Sequence, residues 1–174
     1  MLQNYSRYKV LQEFFDFPRK SFQMRELSRM VKLAQPSVIN HLEALQKEGL
    51  VIKEKRGIYP SFRANRESDD FKLLKKQNLA WRIYNCGLIS FLDQELRPDC
   101  IVLFGSAARG EDTESSDIDM FIQAEETSLR LEKYERALNR KISLVFETKV
   151  TKLSKELLNN IINGDVLYGY MKVF

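Results

Sequence analysis

The chain has 174 residues, 44% hydrophobic and 30% charged, enough for one large or two small domains and unlike a disordered or repetitive polypeptide. No apolar run approaches a bilayer span and the start, MLQNYSRYKV, has no cleavable leader pattern, so a cytoplasmic protein with no membrane partner is expected. Cys86 and Cys100 argue for packed thiols rather than a disulfide framework, the single histidine His41 excludes a histidine metal cluster, and charge divides unevenly: 13 Lys/Arg against 6 Asp/Glu (+7) over residues 1–66, but 15 against 18 (−3) over residues 67–174, giving the overall +4.

Residues 5–15 place Tyr8, Leu11, Phe14 and Phe15 at helical spacing, and Pro18 ends the run. MRELSRMV, residues 24–31, repeats the pattern through Leu27, Met30 and Val31. Pro36 then marks the start of a further helix, whose Val38, Ile39, Leu42 and Leu45 form an apolar stripe, with Gln35, Ser37, Asn40, His41 and Glu43 facing outward until Gly49 ends it. Residues 50–64 read as a hairpin, with strands at 50–53 and 58–64 around a basic tip at 54–57. Two helices, a short turn and this hairpin, with the pattern S-V-x-x-H-L-x-x-L-x-x-x-G-L-V, resemble winged helix-turn-helix regulators that bind DNA as dimers. Over residues 7–66 the resemblance implies a homodimer with double-stranded DNA as partner. Ser37, Asn40 and His41 would meet base edges or phosphates, and Lys53, Lys55 and Arg56 the backbone. A solvated hairpin, or a protein-binding role for the same fold, is the competing reading.

Residues 69–96 contain no proline and only Gly87, so they predict one long helix or two abutting ones, ended before Pro98. Trp81, Tyr84, Leu88 and Phe91 offer more apolar surface than a connector needs, which points to a dimer seam, an interdomain face or ordinary core packing.

Ile101 to Phe104 form a short buried strand, broken by a turn at Gly105 and Ser106, with a helix starting over residues 107–109. Amide groups at such a turn and helix start have no partner within the helix and suit phosphate oxygens, while glycine permits close approach. Asp117 and Asp119 stand two apart in a second apolar run, so on a strand both carboxylates share one face, with Ile118 and Met120 turned to the core. Paired hard oxygen ligands suit Mg²⁺, and a nucleoside triphosphate is the natural guest. Beyond this lie a predicted helix at 129–138, a strand at 141–148, a helix at 154–163 and a final strand or turn at 166–170.

The stretch LFGSAARGEDTESSDIDMFI, residues 103–122, resembles minimal nucleotidyltransferases of the DNA polymerase beta superfamily, whose pattern G-S-x-x-x-G followed by D-x-D is matched by Gly105, Ser106, Gly110, Asp117 and Asp119. The resemblance implies Gly105, Ser106 and Arg109 on the triphosphate, ATP being the favoured nucleotide, and Asp117 and Asp119 as catalytic and metal-holding acids. It also implies a third carboxylate on a later strand, and the matching position here is Ser143. Glu147, on the same face of that strand by alternation, is the candidate substitute. The expected fold is α+β, with a winged helix at 1–66, a helical connector at 67–97 and a mixed-sheet nucleotidyltransferase-like domain at 98–174. Two functions follow: a DNA-binding regulator carrying a nucleotide-binding domain, or an active transferase moving AMP from the triphosphate to a hydroxyl of a protein or small molecule.

Overall fold

Val10, Leu11, Phe14 and Phe15 line one side of helix α1 (Ser6–Asp16) and are all buried. In this computed structural model, which describes residues 5–55 and 59–173, they begin the core of the first of two compact units, residues 1–73 and 74–174. Strand β1 (Phe22–Gln23) leads directly into α2 (Met24–Val31), and α3 (Gln35–Lys47) follows a left-handed Lys32 with proline in its first turn. Strands β2 (Val51–Glu54) and β3 (Ser61–Ala64) pair antiparallel, and β1 adds to the other edge of β3. The two-residue β1 leaves no periodic trace, so nothing in the chain foretells it. The wing tip expected at 54–57 lies partly outside the described residues, as does Arg56. Leu27, Val38, Leu42 and Leu45 close over Phe14 and Phe22, whose rings meet edge to face at 5.3 Å, and Phe71 closes the far side 5.2 Å from Phe15. Each such aromatic burial contributes roughly 1.5–3 kcal/mol.

Ile39 departs from the expected apolar stripe. It is 41% exposed, whereas Val38, Leu42 and Leu45 are at most 1% exposed. One residue is 100° of helix rotation, so a stripe centred on Val38, Leu42 and Leu45 carries Ile39 off the buried side.

Helix α4 (Asp69–Asn85), which belongs to the second unit from residue 74 onward, and α5 (Leu88–Leu96) are separated at Gly87, which adopts a left-handed φ of 83°. The break realises the two abutting helices. Leu79, Ile83, Leu88, Ile89 and Leu92 are core residues of this unit rather than a connector's surface, while Trp81 and Tyr84 stay 42% and 50% exposed. The sheet has the order β6-β5-β4-β7: β4 (Cys100–Phe104) pairs antiparallel with β5 (Ile118–Ile122) and β7 (Asp165–Gly169), and β5 pairs parallel with β6 (Ile142–Phe146). The parallel pair is bridged by α7 (Glu132–Leu138), and α8 (Lys155–Ile162) precedes β7. Ile101, Leu103, Ile118, Met120 and Ile122 face one core, with α4, α5 and α7. Cys100, Val102, Phe104 and Phe121 face another, with Ile161 of α8 and Val150. A central strand covered on both sides explains the unbroken apolar run of β4. Cys86 and Cys100 are free thiols, Cys100 fully buried. No helix among the described residues is long and apolar enough to cross a membrane.

Candidate functional site

The end of β4 and the start of β5 meet because they pair: Phe104 lies opposite Asp119. The chain leaves β4 at Gly105, with a left-handed φ of 74°, and turns at once into the single-turn helix α6 (Gly105–Ala108), so the helix begins two residues before its expected start. Only glycine suits this position. A Cβ built on Gly105 would stand 2.6 Å from Asp119 Oδ2, so the missing side chain is what admits the carboxylate against the turn. Ser106, half-buried, closes the next turn through its carbonyl, which accepts from the amides of Arg109 (3.2 Å) and Glu111 (3.0 Å). Arg109 is exposed, and its Nε donates to Glu111 Oε2 at 2.8 Å.

Asp117 sits one residue before β5 rather than within it, and is exposed, while Asp119 is half-buried on the strand. Ile118 and Met120 are fully buried, as alternation requires. Burial raises the Asp119 carboxyl above its ordinary range and the charge of Asp117 adds to this, with Arg140 opposing. A carboxyl whose proton affinity a neighbouring carboxylate raises marks a place where a cation relieves repulsion.

A buried ion network beneath the loop was not legible in the chain. Asp112 and Lys75 are each 3% exposed, and Lys75 Nζ reaches Asp112 Oδ1 at 2.8 Å and also donates to the Asp112 carbonyl. Arg140 donates through Nη1 to Asp112 Oδ2 at 2.8 Å, through Nε to the Ser116 carbonyl, and through Nη2 to the Asp117 carbonyl at 3.4 Å. Ser116 Oγ accepts from the Thr113 amide at 2.9 Å, tightening the same approach. In the sequence Asp112 is one acid of a polar loop, and only the return of the chain at residue 140 reveals its second cation.

Ser143 stands in register with Asp119 across the parallel pair, the position where the resemblance calls for the third acid. Glu147 does not replace it. It follows the far end of β6, where Ile122 pairs with Phe146, and four residues from Ser143 is about 13 Å of strand. There it accepts from the Lys149 amide at 3.1 Å, which holds its carboxylate below the usual range, with Lys152 at 3.6 Å. Asp165 flanks Leu103 across the β4–β7 pair, but is paired with Lys76 Nζ at 3.0 Å. Among the described residues, no group of three or more His, Cys, Asp or Glu is placed to hold a metal. The donor set fits one Mg²⁺ that completes its shell with water and substrate phosphates. It offers no third carboxylate for a second ion about 4 Å away, because a hydroxyl stands at that register position.

In the first unit, α3 exposes Gln35, Asn40 and Glu43. Ser37 and His41 are half-buried and bonded to one another, Oγ to Nε2 at 3.3 Å, and burial together with Arg7 lowers the His41 pKa. Of the three expected groove residues, therefore, Asn40 alone is fully presented. Lys53 and Lys55 are exposed beside the hairpin, Lys53 Nζ lying 6.0 Å from the centre of the Phe62 ring. Missed by the sequence are Arg25 and Tyr59, whose guanidinium and ring lie 5.8 Å apart beside Gln35.

Residues 87–172 match the family model of polymerase beta, nucleotidyltransferase, and residues 7–53 match that of the bacterial regulatory protein, arsR family. No curated protein and no solved structure matches the chain. The helix-turn-helix and the loop-and-carboxylate site thus lie on separate, recognisable domains, and the chain joins an ArsR-type helix-turn-helix to a polymerase-beta-type nucleotidyltransferase domain.

Proposed function

We propose that this protein is a DNA-binding transcriptional regulator whose second domain binds a nucleoside triphosphate with one Mg²⁺ and responds to it without turning it over. The observation that carries the reading is the pairing of Asp119 with Ser143. The loop and both aspartates that receive a nucleotide remain, while the strand position that completes a two-ion centre and supplies a base holds a hydroxyl. Asp117 and Asp119 would hold Mg²⁺, which neutralises triphosphate charge when bound. Gly105, Ser106 and Arg109 would meet the phosphates, ATP being the favoured nucleotide. The basic first unit supports double-stranded DNA as its partner, with Asn40 in the groove and Lys53, Lys55 and Arg56 along the backbone, engaged as a homodimer.

The second reading, an active transferase delivering AMP to a protein or small-molecule hydroxyl, is favoured by the intact G-S…D-x-D pattern. One experiment separates the two. Purified protein is incubated with Mg²⁺ and ATP labelled on the adenine, alone and with cell extract, and bound and covalent label are read with Asp119→Asn as control. Aspartate-dependent binding without transfer is the expected result. Aspartate-dependent transfer to any acceptor would establish the enzyme instead.

A further inference from the structure

We infer that Ile39 reads a thymine methyl group in the DNA major groove, an inference that rests on the DNA-binding reading above and names what that surface recognises. Helix α3 is held down by Val38, Leu42 and Leu45, leaving Ile39 as its exposed large apolar side chain, 41% accessible. Gln35, Ile39 and Glu43 follow one another at four-residue steps along one ridge, and Asn40 stands beside them. All four are exposed. The half of this face nearer the helix start carries an amide, an isoleucine and a second amide, with no charge before Glu43.

That chemistry does not suit phosphates, which call for cations. It does suit the edge of an A·T pair, which offers the major groove a paired donor and acceptor on adenine, matched by Asn or Gln, and on thymine a methyl group that only apolar contact can recognise. Cations stand at the margins instead. Arg25 lies against Tyr59 beside Gln35 at one side, and Lys53 and Lys55 stand on the hairpin. Tyr59 is 60% exposed and carries the guanidinium over its ring, which orders Arg25 for a flanking phosphate. An apolar and amide centre with a basic margin is the charge complement of a groove between two backbones. Another protein as partner is left as an outcome of the test.

Full-length protein is used to select duplexes from a random pool, and each thymine of the selected site is replaced in turn by deoxyuridine, which removes the methyl group alone. One position per half-site is expected at which deoxyuridine weakens wild type about fourfold, the transfer value of a single buried methyl. Ile39→Ala should bind thymine and deoxyuridine alike there, while Ile39→Val keeps the discrimination. Equal affinity of wild type for every deoxyuridine site, or unchanged discrimination by Ile39→Ala, would overturn the inference while leaving DNA binding standing. Retention of no duplex, or of all duplexes without preference, would overturn it through the DNA reading itself, with protein binding then left as the use of Ile39.

Discussion

Asp119 carries two opposed demands, and its neighbours make both measurable. Its carboxyl titrates above the ordinary aspartate range because burial and Asp117 disfavour the charge. An acid whose folded pKa is raised lends stability that is full below its unfolded pKa and is lost as pH rises through the folded value. Asp119→Asn is therefore expected to raise the melting temperature at pH 7.5 but not at pH 3.5, in the absence of divalent ions. The same change should erase stabilisation by Mg²⁺-ATP, which in wild type reaches about 2.7 kcal/mol at a hundredfold excess over the dissociation constant. Thermal melts across pH, with and without nucleotide, check both halves. Gly105→Ala tests the neighbouring atom: a left-handed alanine costs about 1–2 kcal/mol, and its Cβ falls on Asp119 Oδ2. Urea unfolding should show that loss, and calorimetry should show no Mg²⁺ binding.

Among the elements, the loop between α6 and β5 is held from below as well as by its own turns. Lys75 on α4 and Arg140 just before β6 share Asp112, and Arg140 also takes the carbonyls of Ser116 and Asp117. Removing the shared acid takes a carboxylate partner from two cations, one of them buried, so Asp112→Ala should cost about 3–5 kcal/mol in denaturant unfolding. Nucleotide affinity should weaken even in the folded protein, as Asp117 loses its support. This network marks where sequence reading stops. The turn at Gly105, the two aspartates and the strands beside them are legible because local pattern fixes each one. Lys75 and Arg140 carry no local signal, since nothing beside them in the chain shows that separate elements converge on Asp112. Ile39 misleads for a different reason: it satisfies helical spacing as well as its neighbours do, and only the packing of α1 and α2 on α3 decides which edge of the stripe is covered. The place of Ser143 was legible through the resemblance, whereas the distance of Glu147 from the site needed the register of β6.

Across the whole molecule, the excess of positive charge over residues 1–66 and of negative charge over 67–174 predicts that DNA affinity is salt-dependent through the first unit alone. Removing one phosphate-binding cation should reduce the slope of log affinity against log salt by about 0.9. Lys53→Ala with Lys55→Ala is accordingly expected to flatten the slope by roughly 1–2 and to weaken all duplexes alike, as fluorescence anisotropy over a salt series would record. The mixed strand order carries a temporal consequence as well. Phe104 and Asp119 are 15 residues apart and pair through an antiparallel return, but Ser143 stands 24 residues from Asp119, across a crossover carrying α7. Short loop closure precedes long, so the Gly105 turn and its aspartate are expected to form early in folding and β6 to dock afterwards. Substitutions at Ser143 should then alter the rate of unfolding while leaving the rate of folding almost untouched, so that position 143 is free to vary in chemistry without obstructing the chain's route to its native state.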